Sequence, residues 1–238
     1  MKPMIRISKL NKQFGPKIIL NNLMLNIYEK ESLAIIGESG SGKSVLTKCI
    51  NGLLHFEDGE IIFDDDYNLR DLNKKQRANH TSKFGVLFQN SALFDSLSVE
   101  ENIFFLAQKK NFSILKDVGL DKSILNKTPS EISAGVQKRV GLARAIISNP
   151  RILIFDEPTT GLDPIIGNQI NILIRNLVDK KKLTTITITH DMKSVYEYAD
   201  KVAFIRKGKI EWYGKVKNIK RCDNVYMNEF ISGKTINF

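Results

Sequence analysis

The chain has 238 residues, of which 42% are hydrophobic and 26% charged, with a formal net charge of +10. That length allows one sizeable α/β domain with a subdomain inserted in it. No apolar run approaches the roughly 20 residues that span a bilayer, which excludes a membrane-embedded role for the chain itself.

The start, Met1 to Arg6, lacks the apolar core and small-residue cleavage site of a signal peptide, so a cytoplasmic chain is expected, reaching a membrane through a partner. The lysines fall in short groups (Lys74-Lys75, Lys109-Lys110, Lys180-Lys181-Lys182) without interleaved aromatics. The positive charge is therefore read as solvated surface, or as a face beside an anionic inner leaflet, and no nucleic acid is expected. Cys49 and Cys222 form neither a metal-ligand nor a disulfide pattern; Cys49 falls on an apolar helix and is expected in the core.

In chain order, Met4 to Ile27 alternates apolar and polar residues around Gly15-Pro16, which predicts a hairpin-like antiparallel sheet. Ser32 to Ile36 is a short apolar strand running into a glycine-rich loop. Lys43 to Leu54 has helical spacing at Val45, Leu46, Cys49, Ile50 and Leu53. Strands follow at Glu60–Phe63 and Phe84–Phe88. Helices are expected at Val99–Gln108, Ile114–Val118 and from about Ser133, which together read as a helical insertion. Strand Arg151–Phe155, helix Ile165–Leu177, strand Thr184–Thr189, helix Met192–Tyr198 and strands Val202–Arg206 and Lys209–Tyr213 close the series. Strands alternating with helices imply a mostly parallel sheet covered on both faces.

Gly37-Glu38-Ser39-Gly40-Ser41-Gly42-Lys43-Ser44 matches the phosphate-binding pattern G-x-x-x-x-G-K-[ST] in full, with a strand before it and a helix after. Glycines let successive backbone N–H groups turn inward around a polyphosphate, and the helix adds the partial positive charge of its N-terminus. In this design Lys43 reaches the β- and γ-phosphates of ATP and Ser44 ligates Mg²⁺. Further on, Ile152 to Phe155 is an apolar strand ending in Asp156-Glu157. The C-terminal edge of such a strand is where α/β sheets hold ligands. Asp156 is assigned to Mg²⁺ through water and Glu157 to the general base for the attacking water.

With these two motifs the rest of the chain resembles the ABC ATPase family over nearly its whole length. The resemblance implies a P-loop NTPase core with a mostly parallel sheet, an N-terminal antiparallel β subdomain and an inserted helical subdomain. The corresponding division is a nucleotide-binding core at 1–90 and 151–222, a helical signature subdomain at 91–150 and a tail at 223–238. Phe14 stands where the family has an adenine-stacking aromatic; taken alone it reads as plain core. Gln89 corresponds to the Q-loop glutamine, which senses Mg²⁺ and the water and couples to the membrane domain. Ile132-Ser133-Ala134-Gly135-Val136 resembles the signature L-S-G-G-Q, with Ala134 at the first glycine and Val136 at the glutamine; Ser133 and Gly135 are the residues expected to meet the γ-phosphate of an opposite subunit. Arg144, on the helix that follows, is open to a structural role. Gly161-Leu162-Asp163-Pro164 resembles the D-loop, and Asp163 is equally a helix cap. His190 matches the switch histidine, and His55 and His80 are read as surface residues. One set of motifs implies a homodimer with two composite sites, Glu157, His190 and Gln89 carrying the chemistry of each.

Three classes within the superfamily compete. Translation factors carry two cassettes per chain, and repair ATPases interrupt theirs with a long coiled coil, for which Gln89 and Ser133 are too close. A transporter motor remains, acting with integral-membrane permease subunits on the cytoplasmic face of the cell membrane. Phe88-Gln89-Asn90-Ser91-Ala92-Leu93-Phe94-Asp95-Ser96-Leu97-Ser98-Val99 resembles the F-Q-x-x-A-L-F-D-S-L-x-V run of cassettes in Mla-type phospholipid systems linked to mammalian-cell-entry proteins. That resemblance implies lipid cargo and a mammalian-cell-entry-type lipid-binding partner; the alternative is a transporter for another substrate, such as an amino acid or drug. The tail from Phe230 to Phe238 either reaches across to the neighbouring subunit, as in that subfamily, or is disordered.

Overall fold

The computed structural model describes residues 2–232; the end of the tail, from Gly233 to Phe238, lies outside them. β1 (Pro3–Phe14) and β2 (Lys17–Tyr28) form the expected antiparallel pair, from Pro3 opposite Tyr28 to Phe14 opposite Lys17, with register shifts between Pro3 and Gln13. β3 is Ser32–Ile36 and α1 is Lys43–Ile50. The helix expected to run to Leu54 stops at Ile50, because Gly52 takes φ 82° and breaks the repeat, leaving Leu53 exposed. β4 (Asp58–Phe63), β5 (Tyr67–Asn68) and α2 (Lys74–Thr81) follow. α2 was not expected from apolar spacing, since its only buried residue is His80. Its local signal is a capping box in which Asn73 and Gln76 satisfy each other's backbone N–H.

β6 is Phe84–Leu87, α3 is Val99–Phe104 and α4 is Ser113–Asp117. α3 ends four residues short of the expected Gln108, and beyond it Phe105 and Leu106 are exposed. α5 (Ala134–Ile146) starts behind Ser133, and β7 (Ile152–Asp156) and α6 (Pro164–Lys181) complete this stretch. β8 is Thr184–Ile188, α7 is Met192–Tyr198, β9 is Lys201–Arg206, β10 is Lys209–Lys215 and α8 is Val225–Ile231.

The chain forms two compact units, one of Met1–Ser82 with Ile186–Phe238 and one of Lys83–Thr185. In the first, an antiparallel sheet has the order β2-β1-β4-β5. Beside it β3 and β9 pair in parallel, Leu33 opposite Lys201 and Ile36 opposite Phe204, and β10 runs antiparallel to β9. Every residue of β3 is buried, as a strand covered on both faces requires. Ala34, Ile36, Val195, Val202, Phe204, Ile219 and Met227 form one apolar cluster, and Phe230 of α8 lies against Phe204 with ring centroids 5.4 Å apart. Each such side chain fully buried contributes about 1.5–3 kcal/mol, so α8 is held by packing.

In the second unit β6 and β7 pair in parallel, Phe84 opposite Ile152 and Leu87 opposite Phe155. α5 packs on β6 so closely that a Cβ on Gly85 would lie 2.0 Å from the Ala145 carbonyl oxygen. Among the described residues no helix is long and apolar enough to cross a membrane.

Candidate functional site

In the first unit, residues 37–44 link β3 to α1. A side chain at Gly37 would come within 2.2 Å of the Ile205 carbonyl oxygen, and one at Gly42, where φ is 108°, within 2.9 Å of Leu20. The backbone there approaches its neighbours as only glycine allows. Gly42 caps α1 with no side-chain hydrogen bond, which leaves the first N–H groups of the helix facing the loop. Lys43 folds back over it, its Nζ donating to the Gly37 and Glu38 carbonyls at 2.8 and 2.7 Å. Ser41 Oγ is buried without a hydrogen-bond partner. A helix N-terminus, an orphaned hydroxyl and an ammonium resting on carbonyls are a donor set fit for phosphate oxygens. Lys43 is the residue that would exchange those carbonyls for the anion.

Phe14 is about half exposed, 49%, and Lys12 Nζ sits 4.9 Å from its ring centroid. It is therefore not core: half of it is exposed, with the Lys12 ammonium over the ring. Lys12 is itself held by Glu57 at 2.7 Å. His190 is exposed and follows β8 directly; the preceding residue, Thr189, donates its N–H to the Ile35 carbonyl, which places His190 next to the strand that feeds the loop. Asp191 caps α7 by accepting from Lys193 N and Ser194 N.

His55 is exposed as expected. His80 is a correction: it is 1% exposed, with Nδ1 against the Tyr67 hydroxyl and Nε2 against the Ile50 carbonyl, both at 2.8 Å. Both ring nitrogens are satisfied internally, so it ties α2 to the end of α1. Cys49 is buried, and desolvation pushes its thiol up to about 12.

In the second unit, Asp156 ends β7 and Glu157 follows in a left-handed conformation, φ 50°, uncommon for a non-glycine residue. Thr160 Oγ1 donates to Glu157 Oε2 at 2.6 Å and fixes the carboxylate. Gln89 is exposed, just past β6. The loop after it is held from α5: Arg144 donates to the Ala92 and Ser91 carbonyls at 2.8 and 2.7 Å, and Lys138 donates to the Gln89 carbonyl. Lys138 is 4% exposed; burial lowers its ammonium below the ordinary range while Asp156 and Glu157 pull it back up. Its place in the site was not foreseen, and only its closeness to the signature pointed to it.

Ser133 is the N-cap of α5, exposed and without a side-chain capping bond. A Cβ on Gly135 would meet Ile166 Cγ2 at 2.6 Å, so α6 packs against the first turn of the signature helix. Asp163 caps α6, accepting from Ile165 N and Ile166 N at 3.0 and 2.9 Å. The capping reading of Asp163 is thus observed.

The ABC transporter family model matches residues 20–160. The chain is 34% identical to the methionine import ATP-binding protein MetN of Campylobacter jejuni, over 96% of this chain and 75% of that one. It is 33% identical to the chloroplastic protein TRIGALACTOSYLDIACYLGLYCEROL 3 of Arabidopsis thaliana, over 97% of this chain and 74% of that one. Among solved structures, a dimeric post-hydrolysis state of the ATP-binding cassette MJ0796 bound to ADP and Pi superposes with a TM-score of 0.79 at 29% identity, covering 90% of this chain and 99% of that one.

Proposed function

Because the chain belongs to the ABC transporter family of ATP-binding cassettes, with the P-loop NTPase fold and the ATPase activity of that family, we propose that it is the motor subunit of a transporter moving phospholipids or other lipids between bacterial membranes. The observation that carries the motor reading is the intact phosphate loop, with Lys43 on its carbonyls and Ser41 Oγ unpartnered. The substrate is ATP with Mg²⁺. Lys43 and the N–H groups of the loop bind the phosphates, and the half-exposed Phe14 stacks on adenine. Ser44, Asp156 through water and Gln89 would hold Mg²⁺, which neutralises phosphate charge when bound. Glu157, oriented by Thr160, takes a proton from the attacking water; His190 and Gln89 fix the γ-phosphate and the water. Ser133 and Gly135 of a second copy close the site, with Asp163 at the crossing.

The membrane partner is a permease that docks on the loop from Gln89 to Asp95. Supporting this, the Phe94 and Phe105 rings meet at a tilt with centroids 4.6 Å apart on the same unit, while both stay about half exposed. Lipid cargo is supported by the F-Q-x-x-A-L-F-D-S-L-x-V run and by a relative that carries a glycolipid name. A second reading, an importer of a small solute such as methionine, is favoured by the name of MetN. The test is to tag the Glu157→Gln chain, trap it with ATP in native membranes and identify what co-purifies. A permease with a mammalian-cell-entry-type protein and bound phospholipid is expected; a permease with a solute-binding protein for an amino acid replaces the cargo, and ribosomes or DNA replace the transporter class.

A further inference from the structure

We propose that Lys138 is a positioning residue for hydrolysis, holding the main chain at Gln89 in register with the Asp156–Glu157 edge of β7. This rests on the reading of those three residues as the reaction centre. Lys138 lies in the second turn of α5, 4% exposed, and its Nζ donates to the Gln89 carbonyl. A buried ammonium is costly unless it is hydrogen-bonded, and here the Gln89 carbonyl accepts from it while the charges of Asp156 and Glu157 offset part of its desolvation.

The same helix face continues the attachment. Gly141, three residues on, lets α5 approach until a Cβ there would sit 2.9 Å from Leu87 and 3.4 Å from Ser91. Arg144, three further, takes the Ser91 and Ala92 carbonyls. Ser91 and Ala92 stand at φ 58° and 45°, conformations that persist only when neighbours impose them. Lys138 and Arg144 therefore hold the start of the Gln89 loop by its carbonyls, with Gly141 between them giving the close approach, and the pairing of Leu87 with Phe155 sets that loop beside the end of β7 that carries the carboxylates. The helix whose N-cap is Ser133 and the loop that carries Gln89 then move as one piece. A side chain that only filled space would need no charge at this position.

The experiment compares Lys138→Met, which keeps length without charge, and Lys138→Arg, which keeps charge, with Glu157→Gln as control. ATP binding, steady-state turnover, thermal midpoint and hydrogen exchange across residues 89–97 are measured on each full chain. Lys138→Met is expected to bind ATP within about threefold of the parent, to lose roughly 10- to 100-fold in kcat and to speed exchange at 89–97, with Lys138→Arg recovering part of both. Parental kcat and exchange in Lys138→Met overturn the proposal. So does a loss in both variants that tracks a lowered midpoint and faster exchange throughout the unit, since that describes a core residue. If Glu157→Gln itself turns over at the parental rate, the assignment of the centre fails first.

Discussion

At the scale of single residues, charge and burial decide the roles. Lys43 rests on the two carbonyls of its own loop, an arrangement in which the ammonium is solvated by the protein, and under the proposed function phosphate would replace those carbonyls. Lys43→Ala should weaken ATP binding by roughly 2–4 kcal/mol, about 30- to 1,000-fold in Kd, while leaving the thermal midpoint without nucleotide nearly unchanged. Fluorescent-nucleotide titration checks this, and parental affinity would count against the phosphate-loop assignment. Cys49 behaves oppositely: burial favours its neutral thiol and raises its titration to about 12. The unfolded chain ionises this thiol near its ordinary value, so above about pH 9 the unfolded state loses a proton that the folded state keeps. The contribution is fully present below that pH and falls by up to about 1.4 kcal/mol per pH unit until the folded thiol titrates. Alkylation should therefore reach Cys222 rapidly in the native protein and Cys49 only on unfolding, read by mass spectrometry at pH 8.

At the scale of elements, close approach matters more than propensity. β6 and α5 meet where Gly85 faces the Ala145 backbone, at a φ that any residue could adopt. The glycine is there for space alone. Gly85→Ala must push apart a helix and a strand whose contact atom is a carbonyl, and should cost about 2–3 kcal/mol by denaturant midpoint. A shift below about 0.5 kcal/mol would mean that α5 yields, and would weaken the view that α5 and the Gln89 loop form one piece. The caps carry a smaller share: Asp163 on α6 and the Asn73–Gln76 box on α2 each contribute about 1 kcal/mol.

At the scale of the molecule, the two compact units divide the candidate site residues between them. The loop at 37–44, Phe14 and His190 belong to one unit, and Gln89, Ser133, Gly135, Asp156, Glu157 and Asp163 to the other. Under the proposed mechanism a second copy supplies Ser133 and Gly135, so Glu157→Gln with ATP should run as a dimer by size exclusion with light scattering and as a monomer without nucleotide. Ser133→Arg should keep ATP binding and lose the dimer. A dimer that forms equally without ATP, or survives Ser133→Arg, would remove the sandwich reading.

The sequence by itself determined those parts of the protein whose chemistry is local. A phosphate loop needs consecutive residues, so Gly37 to Ser44 spell it out, and β3 and α7 were bounded by their apolar runs to the residue. Asp163 as a cap was also legible, because a cap is satisfied within three positions, and the helix expected from about Ser133 begins one residue later. What only the tertiary structure decided depends on partners distant in the chain. His80 reads as surface because it fits no motif; it is core because its ring nitrogens pair with the Tyr67 hydroxyl, thirteen residues away, and the Ile50 carbonyl, thirty away. Phe14, taken alone, reads as plain core, and only the fold shows it half exposed. Lys138 was one more basic residue until α5 buried it against the Gln89 carbonyl beyond β6. A hydrogen bond within a turn is written in spacing, whereas the desolvation of a charge is set by whichever elements pack over it, and no spacing records that.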